Sequence, residues 1–182
     1  MPGTPPPADE LLQGLPPVAD SRARVLILGS MPGVRSLDET RYYAHPRNAF
    51  WPILSDWIGQ PPDAPYAERI DALRARGIAV WDVIGRCRRV GSLDSRIDPA
   101  SIEANDLAGL FARCRLLERL LLNGARAAQD FQRRVLPMLD APYRALPRIR
   151  LPSTSPAHAA MSLADKREAW NRALCPVLGR DR

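Results

Sequence analysis

VLILGSMPGVRSLDETRYYAHPRNAFWPILSDW, residues 25–57, sets an apolar strand against a glycine-proline turn and then an aromatic, basic loop. Residues 25–28 form a continuous apolar run, as expected of a strand buried on both faces, and Gly29, Pro32 and Gly33 break it sharply. Tyr42, Tyr43, His45, Arg47 and Asn48 follow the turn. A helix is predicted next, because Phe50, Trp51, Ile53, Leu54, Trp57 and Ile58 recur at helical spacing. Polar and aromatic groups thus gather just ahead of a helix, where a chain can build a binding site.

Working outward, the 182 residues, 46% of them hydrophobic, suit one domain over residues 21–182, with residues 1–20 a Pro-rich tail packing loosely over it. No apolar run is long enough to span a bilayer, and the Pro-rich start lacks the basic and apolar regions of a secretory signal. Cys87, Cys114 and Cys175 are too far apart for a C-x-x-C metal pair and fit no disulfide framework, so reduced thiols in a cytoplasmic, monomeric protein are the expectation. The 26 basic residues exceed the 20 acidic ones, and Lys166 is the only lysine. Arginine suits bidentate phosphate contacts, so the charge leans toward a polyanionic partner without deciding for one.

Four apolar runs read as strands, at 25–28, 78–84, 119–122 and 148–151. Helical patterns lie between them, at 49–58, 67–76, 101–111 and from 125 onward, and a last helix opens at Ser162, whose spacing to Asp165 matches an N-cap. Alternating strands and helices predict a three-layer α/β/α sandwich with a mainly parallel four-stranded central sheet. All four strand ends then open on one edge, so the loops 29–47, 85–99, 123–124 and 152–161 converge there. Neither a phosphate-binding G-x-x-x-x-G-K-[ST] loop, nor a G-x-G-x-x-G fingerprint, nor an H-E-x-x-H helix is present.

GSMPG followed by YYAHPRNAFW, then VWDVI with GSLDS, then LPSTSPAHA, resemble in collinear order the motif regions of the uracil-DNA glycosylase superfamily, most closely its hypoxanthine-DNA (deoxyinosine) glycosylase family. The resemblance covers roughly residues 24–174. It implies an enzyme that flips a deaminated base out of DNA and hydrolyses its N-glycosidic bond, with no metal and no cofactor, leaving an abasic site. A uracil-directed enzyme of the same superfamily and a catalytically silent nucleic-acid-binding module are the other readings. Cleaving this bond yields a cation-like sugar and an anionic base, so the site must stabilise separated charge, hold a water and grip the base.

By that resemblance Asn48 is the catalytic residue, orienting a water through its amide oxygen; read locally, it is also a good N-cap for the following helix. Met31 stands where many superfamily members carry an aspartate or asparagine, and a thioether cannot direct water. Gly29, Ser30, Met31 and Pro32 would form the floor under the base, Tyr43 would stack on it, and Asp94 and Ser95 of GSLDS would read it or order their loop. His45 and Arg47 are expected to face DNA. So are Ser153, Thr154 and Ser155 as phosphate ligands, with Pro156, Ala157 and His158 as the tip that enters the duplex. Arg86, Arg88 and Arg89 form the densest basic cluster, suited to the DNA backbone. Lys166 lies in the last helix, away from any lyase role.

Overall fold

In the computed structural model, which describes residues 11–179, the chain begins with a short strand, β1 (Leu11–Gln13). The fully buried β2 (Val25–Gly29) follows, then the helices α1 (Val34–Asp38), α2 (Phe50–Ile58) and α3 (Tyr66–Ala75). β3 (Ile78–Asp82) and β4 (Ile84–Arg88) are separated by one residue, and β5 (Glu103–Ala104) and α4 (Leu107–Arg113) come after them. β6 (Arg119–Asn123), α5 (Ala125–Asp130), α6 (Ala141–Arg144), β7 (Arg148–Leu151) and the long α7 (Leu163–Leu178) complete the order.

The central sheet has the order β3-β2-β6-β7 with every neighbouring pair parallel, so the predicted four-stranded parallel sheet is present. β2 and β3 are buried at every residue, which is why both read as unbroken apolar runs. Helix α5 packs on β6 and β7, while α2, α3 and α7 pack together, α3 against β3 and α7 against β7. Fully buried Phe50 and Trp170 meet edge to face there, 6.3 Å between ring centroids. Each contributes roughly 2–3 kcal/mol through its burial. Ser162 caps α7 as expected: its hydroxyl accepts from Asp165 N–H at 3.1 Å and donates to the Asp165 carboxylate at 2.7 Å.

Four local expectations need correction. The run 78–84 is two strands, because Val83 lets the chain leave the central sheet: β4 pairs antiparallel with β1 and β5 in a second, three-stranded sheet. Within β4, Ile84 and Cys87 are buried and Arg86 and Arg88 exposed, so its outer face is solvated. Residues 11–18 are not a loose tail. β1 is hydrogen-bonded to β4, Val18 exchanges backbone hydrogen bonds with Val80 at 2.9 and 2.8 Å, and Leu15 and Val18 are buried; residues 1–10 lie outside the described residues.

The helix expected from 101 starts only at Leu107, where Asp106 accepts from Gly109 N–H at 2.9 Å; upstream, Asp98 caps a separate short turn. The helix from Ala125 does not run on as one cylinder. It widens over Phe131–Val135 and tightens over Leu136–Met138, where Pro137 has no N–H to continue the ladder.

Candidate active site

A cavity of about 340 Å³ opens at the carboxyl edge of the central sheet. Its floor is the turn after β2. Gly29 is required there: a Cβ at this position would stand 2.3 Å from Asp82 Oδ1 and 3.3 Å from the Tyr43 hydroxyl. Beside it Ser30 Oγ donates to Asp94 Oδ2 at 2.7 Å, joining the GSMPG turn to the GSLDS loop. Met31, 6% exposed, lines the cavity while packing on Ile84, Cys87 and Ile97, so it fills space as an apolar wedge under the turn.

Beneath Pro32 lies Arg89, 3% exposed, donating to the Pro32 carbonyl at 2.5 Å and the Gly91 carbonyl at 2.8 Å. This corrects the expectation that Arg89 faces DNA with Arg86 and Arg88; its guanidinium props the cavity floor. Burial lowers its pKa from the ordinary arginine range.

One wall comes from the loop preceding α2. Tyr43 has φ 55°, in the left-handed region that costs a non-glycine residue roughly 1 kcal/mol. Its ring holds that conformation by lying on Phe50, with centroids 3.8 Å apart and planes 13° from parallel, and its hydroxyl accepts from Asn123 Nδ2 at 3.2 Å. One ring face is therefore taken by Phe50. Asn48 also lines the cavity, and its Oδ1 accepts from Phe50 N–H at 3.0 Å. The amide thus reaches the first N–H of α2 from one residue before its N-cap, Ala49, and keeps a second lone pair and its NH₂ group for the cavity. His45 lines the cavity too, with Nδ1 accepting from Arg47 N–H at 3.1 Å. Arg47 is exposed and stands outside the cavity.

The opposite wall is the loop between β7 and α7. Ser153, Ser155, Pro156, Ala157 and His158 line the cavity, and successive serine hydroxyls accept from the backbone N–H two residues on, Ser155 at 3.2 Å and Ala157 at 3.2 Å. Thr154 lines it as well, yet is 1% exposed with its hydroxyl accepting from Asn123 Nδ2 at 2.9 Å, so the expectation of an open phosphate ligand is corrected: Thr154 anchors the loop. Its carbonyl accepts from Ala49 N–H at 2.9 Å and ties the two walls together. Lys166, 5% exposed, donates to the His158 carbonyl at 2.7 Å, and burial lowers the pKa of its ammonium. His158 Nε2 is buried with no hydrogen-bond partner.

Asp94 lines the cavity, and burial raises its pKa above the ordinary carboxylate range against the Ser30 hydrogen bond. Arg126 donates to its carbonyl at 2.8 Å. Ser95 is exposed and outside the cavity, which corrects its expected place under the base; the 3-10 turn of Asp94–Arg96 carries it outward. Leu93, 50% exposed, is an apolar side chain at the mouth instead.

Besides Arg35, Ser36 and Leu93, two polar cavity residues at strand ends escaped sequence reasoning. Asp82 ends β3 and Asn123 ends β6, each a lone polar residue closing an apolar run at the carboxyl edge. That placement is the one signal that could have found them. Asp82 is 4% exposed, and burial, reinforced by the neighbouring Asp94 charge and opposed by Arg89, pushes its pKa up to about 8. Among the described residues no group of His, Cys, Asp or Glu side chains could hold a metal ion, and no helix is long and apolar enough to cross a membrane.

Fold and cavity together define an α/β protein with a preformed, largely buried binding site at the carboxyl ends of a parallel sheet. The family model of the uracil DNA glycosylase superfamily matches residues 16–175, and the chain belongs to that superfamily: it is a DNA glycosylase, a hydrolase acting on DNA. It is 36% identical over 118 residues to a hypoxanthine DNA glycosylase of Methanosarcina barkeri (strain Fusaro / DSM 804), covering 64% of this chain and 73% of that protein. A hypoxanthine DNA glycosylase of Methanosarcina acetivorans is 35% identical over the same shares. The solution NMR structure of a Methanosarcina acetivorans protein, described as a candidate uracil DNA glycosylase, superposes with a TM-score of 0.72 at 29% identity, covering 90% of this chain and 99% of that one.

Proposed function

We propose that the protein excises hypoxanthine from deoxyinosine in DNA by hydrolysis, leaving an intact abasic site. The observation that carries this reading is the pairing of Asn48 with Met31 in one cavity, in a chain 35–36% identical to two hypoxanthine DNA glycosylases. Met31 cannot activate water, so the group able to place it is the Asn48 amide, oriented by Phe50 N–H.

The flipped base enters between the Tyr43 and Ser153 walls, above Gly29. Asn48 Oδ1 accepts a hydrogen bond from water and aims its oxygen at the sugar C1′ as the glycosidic bond lengthens. The apolar tips at the mouth, Leu93 and Pro156, occupy the gap left in the stack. No lysine reaches the cavity wall, since Lys166 is committed to the His158 carbonyl, so hydrolysis rather than strand cleavage ends the reaction.

Duplexes each carrying one inosine, uracil, xanthine or normal base, scored for abasic sites, test the reading. Release from the inosine duplex should be fastest and should be lost in Asn48→Ala. Faster release of uracil would reassign the substrate, and retained duplex binding with no release of any base would leave only a binding module.

A further inference from the structure

Asp82 is a buried carboxyl in the cavity wall to which the reaction described above gives no role. Its side chain is 4% exposed, lines the cavity, and occupies the space that the missing Cβ of Gly29 leaves open. Oδ2 is buried with no hydrogen-bond partner, and the residue forms no ion pair among the described residues. A buried carboxylate in that condition is expensive, whereas a buried carboxylic acid needs only somewhere to donate. Its backbone is fixed by β3 and by Asn105 Nδ2, which donates to its carbonyl at 2.9 Å, so the residue is held at the carboxyl edge of the sheet.

We propose that Asp82 is the general acid of the reaction, donating its proton to the departing base. This inference rests on the glycosylase reading above and adds the group that receives the charge. As the bond from C1′ to the base nitrogen breaks, its electron pair passes to the base. The proton on Asp82 moves to a ring nitrogen or carbonyl oxygen of the base, which leaves neutral, while Asp82 becomes a carboxylate. The water held by Asn48 bonds to C1′ through its oxygen, and the proton it sheds restores Asp82.

The surroundings suit that cycle. Four titratable or charged groups face the carboxyl: Asp94 from the GSLDS loop, Arg89 just after β4, and Tyr42 and Tyr43 from the wall before α2; burial keeps the Tyr42 phenol protonated as well. Asp94 and burial favour the protonated acid; Arg89 opposes them, but its hydrogen bonds go to the Pro32 and Gly91 carbonyls. Burial holds the Tyr43 phenol protonated far above neutrality, so Tyr43 adds no competing charge. The resulting pKa of about 8 leaves Asp82 protonated in neutral solution and close enough to neutrality to give the proton up.

Single-turnover excision of hypoxanthine from an inosine duplex, followed against pH, tests the role. The wild-type rate should fall as pH rises through about 8, in step with loss of the Asp82 proton. Asp82→Asn, which keeps the shape and a hydrogen-bond donor but cannot transfer a proton, should be slower on the order of 10²-fold and should lack that limb. Its deficit should shrink on 5-fluorouracil relative to uracil, since a better leaving group needs less protonation. A wild-type profile flat across that range overturns the inference without any variant. So does an Asp82→Asn rate within about threefold of wild type. A wild type that releases no base from any duplex removes the glycosylase reading and this inference together, whereas an active wild type with a flat profile removes this inference alone.

Discussion

Asn123 grips Thr154 at two points: its amide oxygen accepts from Thr154 N–H at 2.9 Å, and its amide nitrogen donates to Thr154 Oγ1 at 2.9 Å. The same nitrogen reaches the Tyr43 hydroxyl at 3.2 Å. One side chain at the end of β6 therefore holds both walls of the cavity. Asn123→Ala leaves several buried polar groups unpaired and should cost about 3 kcal/mol of stability, read by urea unfolding. Asn123→Asp, which can accept but not donate, should lose part of that and loosen Tyr43.

Gly29→Ala should spare the fold and damage catalysis. The added methyl would lie 2.3 Å from Asp82 Oδ1, so the carboxyl must move out of the cavity floor. A stability loss of roughly 1–3 kcal/mol is expected, with excision falling further than that loss explains. Wild-type excision by a folded Gly29→Ala protein would contradict the geometry of the floor.

Capping and the proposed catalytic role of Asn48 are separable. Asn48→Ala removes the acceptor for Phe50 N–H and should cost about 1 kcal/mol along with most excision. Asn48→Ser restores a good cap, so its stability should return to within about 0.5 kcal/mol of wild type while excision stays low, because serine cannot place the water. Thermal melts and abasic-site assays on the two variants give the comparison; full excision by Asn48→Ser would reduce Asn48 to a cap.

Asp82 should also mark the stability curve. Its pKa is raised from 3.8 to about 8, so between those values the folded protein holds a proton that the unfolded chain releases. Stability should therefore fall as pH rises across that window and level off above it. Asp82→Asn stays neutral throughout, so its melting temperature should exceed wild type by more at about pH 9 than at about pH 5, by roughly 5 °C or more. Equal differences at the two values would show that the wild-type carboxyl is not held protonated.

Much of this arrangement is written in local pattern. β2 and β6 follow from short apolar runs and β7 from the alternation of Arg148–Leu151, and the alternation with helices fixes which edge carries the loops. GSMPG and PSTSPAH read as site loops because they leave those strand ends. The second sheet was not legible, since Ile84 continues the apolar run of β3 and the arginines of β4 read as a solvated cluster. Arg89 looked like its neighbours Arg86 and Arg88, and only the tertiary path of the 89–96 loop turns it inward. Asp82 and Asn123 are single polar residues at strand ends, indistinguishable in sequence from ordinary turn residues until the cavity forms around them. Ser95 and Asp94 are adjacent, and a 3-10 turn sends one outward and the other in.

The hydrogen bond from Ala49 N–H to the Thr154 carbonyl makes the first turn of α2 and the loop beyond β7 move as one piece. An aperture built this way cannot yawn to admit an intact double helix without fraying a helix whose Phe50 lies wholly in the core. On the proposed reading, adjustment would fall on the nucleic acid, which would have to bend and present a loosened nucleotide to a mouth already of set width. Weakly paired lesions would meet that demand at least expense, so discrimination would begin before any atom of the base is touched.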